Sequence, residues 1–391
     1  MKDFNLFVFS ILFLFTGIPT SNADVPEFSL QENYFKAKEL FEKERFVHAK
    51  KTFIKIISYY EQTERHQNNE TFILCKYYMA RTSYKLKDKN ASLYINGFLS
   101  DFPNHNLSKH LIFLKGKLLF ERKKYKQAIF EFSQVNEAFL NNDDIIELNF
   151  KKGYSYFYKK DFTNAEICFD KIKDIQSPYF YPTNYYVAYM AYYNKDYDKA
   201  LNSFYKVNIS KLFKKVVPYY IAQIYFIKKQ YNKVVDYASP LLRNPSFKYA
   251  NETNYLVGKS YFNMEEYEAA LPYLKDHVNS ASKLIPSDIY NLGFSYYKVL
   301  NYEKAINYLE KISDKKDSLA QNSNYIIANC FLNQNNKRNA RAAFYKTKNI
   351  DLITALTELA SFNHAKLSYE LKMHPEAINN IQAFIEKFPE S

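Results

Sequence analysis

The side chains of this 391-residue sequence best suited to holding a metal or attacking a carbonyl are its seven histidines (48, 66, 105, 110, 277, 364 and 374) and its three cysteines, Cys75, Cys168 and Cys330. A zinc hydrolase needs two histidines one helical turn apart with an acid beside the first, and no HExxH pair occurs. His105 and His110 have neither acid nor thiol between them. Strained nucleophile turns and phosphate-cradling loops need clustered glycines; the six glycines here form no GxSxG, P-loop or GxGxxG. Asp143 and Asp144 fall between apolar stretches, where such a pair reads as a turn and helix cap, not as a general acid and base. The odd number of cysteines cannot close into a disulfide set, and each lies in an apolar pattern, so buried free thiols are expected. These residues predict no enzyme, no metal and no cofactor.

What remains is binding, and for that the chain is rich in 38 tyrosines and 34 phenylalanines, with no tryptophan. Their placement follows a repeat. Within 152–172, KGYSYFYKKDFTNAEICFDKI, Gly153, Tyr156, Ala165 and Phe169 describe two short antiparallel helices joined by a polar turn. The first small position recurs as Ala37, Ala80, Gly116, Gly153, Ala188, Ala222, Gly258, Gly293, Ala328 and Ala365, at spacings of 34 to 43. Twelve residues after each comes Ala49, Ser92, Ala128, Ala165, Ala200, Val234, Ala270, Ala305, Ala340 or Ala377. The polar segment 61–70 accounts for the longest spacing. Pro286 and Pro375 are expected to open helices, Pro103 and Pro389 to follow them, and Pro240 to kink one.

This pattern resembles the tetratricopeptide repeat, a family whose unit of about 34 residues carries small residues at positions eight and twenty. The likeness covers residues 30–391, and the FLSDFPNH and FIEKFPES endings are similar to periplasmic repeats of the BamD and YbgF type. The tryptophan that the family favours at position four is replaced in four repeats by Asn149, Asn184, Asn254 and Asn324. The resemblance implies an all-α fold: a right-handed superhelical α-solenoid of antiparallel helix pairs, ten repeats long, binding protein or peptide partners on the concave side lined by the first helices. The family's carboxylate clamp would need Lys at position five, which is aromatic in all ten repeats, Tyr185 among them.

At 100° per residue, positions five and twelve border the buried small residue, whereas positions nine and thirteen turn toward the groove. Position nine is basic in several repeats, including Lys117 and Lys259. Repeats four and five instead place Tyr154, Tyr158, Tyr189 and Tyr193 at positions nine and thirteen. Together with Tyr185, Lys117 and Lys259 these tyrosines are the expected protein- or peptide-binding residues. In the last helix Ile378, Ile381, Phe384, Ile385 and Phe388 put apolar groups on both sides. Repeat arrays finish on a polar face, so this predicts either further chain or a docked partner there.

The formal net charge of +13 is spread along the chain and predicts no nucleic-acid partner. Lys2, the apolar run Leu6–Phe15 and the small-residue end Ser21-Asn22-Ala23 read as a secretory signal peptide over 1–23, followed by a short leader, 24–29, and the solenoid, 30–391. The sequence thus predicts an exported, periplasmic, non-enzymatic scaffold, with association at the outer membrane. Two other roles fit the same residues: a component of an outer-membrane assembly or secretion complex of the BamD kind, or an accessory that binds cell-wall glycan or another anionic polymer through a basic groove.

Overall fold

A computed structural model describes residues 27–63, 69–244 and 247–391. The signal peptide and the first half of the leader lie outside the described residues, as does the middle of the polar segment 61–70. The chain divides into two compact units, Met1–Lys171 and Ile172–Ser391. Unit 1 contains α1 (Glu27–Glu42), α2 (Phe46–Gln62), α3 (Glu70–Lys85), α4 (Ala91–Asp101), α5 (Asn106–Glu121), α6 (Tyr125–Ser133), α7 (Asn142–Tyr158) and α8 (Phe162–Asp170). Unit 2 contains α9 (Phe180–Tyr193), α10 (Tyr197–Asn208), α11 (Val217–Ile227), α12 (Tyr231–Ala238), α13 (Ala250–Asn263), α14 (Tyr267–Ser280), α15 (Pro286–Lys298), α16 (Tyr302–Leu309), α17 (Ser318–Asn333), α18 (Lys337–Ile350), α19 (Thr354–Glu370) and α20 (His374–Lys387). Among the described residues there is no strand, and each unit is a stack of antiparallel helix pairs.

One crossing is repeated in every pair. The first small residue is buried in all ten repeats, and in eight of them the residue sixteen positions later, on the second helix, packs over it. Those partners are Phe53, Phe132, Phe169, Phe204, Ala238, Leu274, Leu309 and Phe344, none more than 1% exposed. Where the small residue is glycine, the fit leaves no room for a methyl group. A Cβ on Gly258 would sit 2.9 Å from Leu274 Cγ and 3.0 Å from its backbone nitrogen; one on Gly293 would sit 2.7 Å from Leu309 Cγ. The close approach, rather than any unusual φ, requires these glycines.

Repeat two departs from the twelve-residue rule. Ala91, fully buried, takes the second small place with Ile95 behind it, while Ser92 is only half-buried. The path between the two small residues is one residue shorter there.

The turns share a second device. Glu44, Lys87, Lys123, Lys160, Lys195, Lys229, Glu265, Leu300, Asn335 and Lys372, each seven residues after the first small position, have φ between 52° and 63°. This left-handed residue closes the first helix: in repeat four Lys160 N–H donates to Phe157 O at 2.9 Å and Asp161 N–H to Tyr156 O at 3.0 Å. Glycine is the usual choice at such a place. Here six of the ten are lysines, whose charge is favoured beside the carbonyl end of a helix. Asp161, Asp196, Asn301 and Asn336 follow and cap the second helices, accepting from the backbone N–H three residues on.

Neighbouring repeats are tied by buried amides. Asn324 Nδ2 donates to Ser313 O at 2.8 Å, and Asn184 Nδ2 to Lys173 O at 2.6 Å, each eleven residues upstream in the preceding loop. Asn149 Nδ2 donates to Ile145 O at 2.9 Å and reaches Glu137 Oε1 at 3.4 Å. Three of the asparagines that replace the family's tryptophan, Asn149, Asn184 and Asn324, therefore fasten their first helices to the segment before them. Gln321, fully buried, does the same forward: its Oε1 accepts from Leu352 and Ile353 N–H, and its Nε2 donates to Thr357 Oγ1 at 3.0 Å.

Pro286 and Pro375 open α15 and α20 as expected. Pro240 does not kink a helix. It stands in the first turn of a 3-10 segment, Ser239–Arg243, after α12 has ended. Pro272 stands inside α14, beyond its first turn, and so gives up one backbone hydrogen bond of that helix.

Two substitutions test this packing. Gly258→Ala should destabilise unit 2 by about 1–3 kcal/mol, because Leu274 has to move. Asn324→Ala should cost about 1–3 kcal/mol, because the Ser313 carbonyl is left buried without a donor. Urea unfolding of each variant against the parent measures both.

Candidate binding faces

In unit 1 the outward flanks of α3, α5 and α7 carry a ladder of paired charges. Lys117 Nζ donates to Glu147 Oε2 at 2.7 Å, and Lys151 lies 3.0 Å from Glu147 and 3.9 Å from Glu121. Tyr84 OH donates to Glu121 Oε1. Burial pushes the Glu147 carboxyl up, but Lys117 and Lys151 outweigh it and hold it below the usual range. Lys117 also lies 5.0 Å from the Phe113 ring. It is a neutralised, partly covered group and not a free cation of the groove. Tyr77 OH meets His110 Nδ1 at 3.1 Å, and burial, with Arg81 and Lys117 nearby, pushes His110 down to about 4.

Tyr154 is half-buried in this unit, its ring 5.5 Å from Phe120 and 5.7 Å from Tyr125. Tyr158 is 60% exposed, and one side of its ring rests 4.4 Å from Tyr125. α7 thus presents one tyrosine as a ring wedged among others and one as an outward face.

Unit 2 repeats the arrangement on α9. Tyr189 is half-buried with its ring 6.1 Å from Tyr220, and Tyr193 is 65% exposed. Tyr192 OH donates to Gln223 Oε1 at 3.1 Å while Gln223 Nε2 donates to Tyr219 OH at 2.8 Å, which fixes the α9–α11 flank. Tyr185 is stacked on Phe213 at 4.5 Å and 11°, so one ring face is occupied, and burial raises its hydroxyl pKa. Lys259 Nζ donates to Asn291 Oδ1 at 2.8 Å and lies 4.5 Å from the Phe262 ring; burial lowers its pKa against the pull of Asp288. Phe294, also at position nine, went unremarked in the sequence. Its ring sits 5.7 Å from both Phe262 and Tyr290, and its spacing from Gly293 was the available signal.

On α20, Ile378, Ile381 and Ile385 are 56%, 41% and 59% exposed. Phe384 and Phe388 are half-buried, 5.6 Å from each other, with Phe384 5.8 Å from Phe362. Ile381 occupies the place that is fully buried in the other repeats, where a following helix pair covers it.

The three cysteines are buried and free, and burial pushes Cys75 and Cys330 up to about 12, well away from a reactive thiolate. Among the described residues no group of three histidine, cysteine or acidic side chains is placed to hold a metal ion, and no helix is long and apolar enough to cross a membrane.

Fold and faces together define an all-helical repeat protein that offers side chains along paired helices. Models of the tetratricopeptide repeat match residues 146–178, 289–315 and 359–391, so the chain carries tetratricopeptide repeats in those segments. No curated protein matches the sequence. Among solved structures it is similar to a tetratricopeptide repeat protein from Parabacteroides merdae (15% identity, 68% of this chain and 99% of that one, TM-score 0.38). It is also similar to the C-terminal part of a repeat-containing protein from Cytophaga hutchinsonii (14% identity, 63% and 98%, TM-score 0.46) and to PilW, a type IV pilus biogenesis factor (15% identity, 56% and 99%, TM-score 0.37).

The buried histidines give the stability a pH dependence. His364 of α19, 1% exposed, is pushed down to about 4 by burial and by Lys348 and Arg341. An unfolded histidine takes its proton near pH 6.5. The stabilisation from keeping His364 neutral is therefore complete above that pH and is lost as pH falls from 6.5 toward 4, at about 1.4 kcal/mol per pH unit. Unfolding of the His364→Asn variant, followed across that window, should show a shallower fall than the parent.

Proposed function

We propose that this chain is an exported scaffold that recognises protein or peptide segments through the tyrosine-bearing first helices, α7 in unit 1 and α9 in unit 2. The observation that carries this reading is the exposure of Tyr158 and Tyr193, 60% and 65%, at a position where seven of the other eight repeats place Glu, Lys or Asn and the eighth places Ile227. The Tyr158 ring, held against Tyr125, loses little conformational freedom on binding, which suits it to act as an anchor. Lys117 and Lys259 then act as supports: each spends its charge on a neighbour, which keeps the flank rigid and leaves recognition to the rings. Export rests on the signal-peptide pattern of residues 1–23 and places the partner in the periplasm, with association at the outer membrane.

A photo-reactive phenylalanine analogue placed at position 158, and separately at 193, tests this in intact cells. Both positions should crosslink to a protein partner, while Tyr345, 52% exposed on the second helix α18, should not. In a binding assay with that partner, Tyr158→Ser and Tyr193→Ser should each weaken affinity about tenfold. Crosslinks of equal strength at 345, or affinity unmoved by both substitutions, would remove the proposal.

A further inference from the structure

Between α10 and α11 the chain runs Ile209, Ser210, Lys211, Leu212, Phe213, Lys214, Lys215, Val216. Phe213 turns inward and stacks on Tyr185. Backbone bonds hold the loop in shape: Lys214 N–H donates to Ser210 O at 2.9 Å and Val217 N–H to Phe213 O at 2.9 Å. With Phe213 anchored, its apolar neighbours point away from the unit, and Ile209 and Leu212 are 77% and 69% exposed. Lys211, Lys214 and Lys215 are exposed beside them, and none of the three has an ion-pair partner among the described residues. The sequence supplies none nearby: from 199 to 235 there is no aspartate or glutamate.

A rigid tip that joins two outward aliphatic side chains to three unneutralised lysines has a specific complement. Two bare aliphatic groups are matched by hydrocarbon, and the cations by a dense layer of anions immediately above it. Lysine stems reach along apolar surface while the ammonium stays in the polar layer. We propose that this loop seats unit 2 on an anionic lipid surface, with Ile209 and Leu212 entering the boundary between headgroups and acyl chains and Lys211, Lys214 and Lys215 meeting headgroup phosphates. This is a peripheral contact, independent of the tyrosine faces, and it requires no membrane-crossing helix.

The absence of tryptophan from the sequence makes the test direct, since one introduced indole reports its own surroundings. Leu212→Trp is compared with Leu300→Trp, which stands at a turn elsewhere in unit 2 and is 70% exposed in the parent. Full-length protein is mixed with phosphatidylcholine vesicles, with vesicles containing roughly 30% phosphatidylglycerol, and with soluble polyphosphate. The indole at 212 should shift to the blue on the anionic vesicles alone, and the indole at 300 should not shift. Replacing Lys211, Lys214 and Lys215 with Gln in the Leu212→Trp protein should weaken partitioning about 100-fold, about fivefold per lysine. No shift at 212, an equal shift on neutral vesicles, an equal shift at 300, or a shift produced by polyphosphate would each overturn the proposal; circular dichroism confirms that every variant keeps the parent's helix content.

Discussion

Both units depend on how closely two helices can cross. A residue no larger than alanine on the first helix lets the second approach until, in most repeats, a large side chain sixteen residues later fills the crossing, and that side chain is buried as the stack continues. Each repeat is therefore completed by its neighbour, and the same contact that closes one repeat orients the next. The left-handed turn residue serves this geometry by reversing the chain within three residues, so that the second helix starts in register with the first.

The crossing also decides which residues are available for function. Positions beside the small residue are drawn into the core, which is why the aromatics at position five are mostly buried or half-buried. A quarter-turn away, the flank is free to carry either paired charge or exposed rings. Repeat three uses charge, with Lys117 on Glu147 spanning α5 and α7. Repeats four and five use rings. The same scaffold thus holds rigid polar surface and aromatic surface side by side on successive helices within unit 1, with no change in backbone.

The repeat was legible in the sequence because the small residues recur at one place in each helix pair whatever surrounds them. The misplacement in repeat two has a simple cause: Ala91 and Ser92 are adjacent and both small, so pattern alone did not separate them, and burial chose the alanine. Pro240 misled because a proline's effect depends on where a helix ends, and α12 stops just before it. Asn184 and Asn324 read as departures from the family's tryptophan, since their carbonyl partners belong to the preceding loop. Lys117 and Lys259 looked like groove cations because Glu147 and Asn291, about thirty residues on, are neighbours only in the folded chain.

If each repeat is closed by its neighbour through the crossing, damage at one crossing should spread only to the repeats that touch it. Hydrogen exchange followed by mass spectrometry on the full chain, comparing the parent with Gly293→Ala, measures that reach directly. Faster exchange confined to α13–α18, with α9–α12 unchanged, is the expected result. Faster exchange spread evenly over all of unit 2 would show that the unit opens as a whole and would contradict the account.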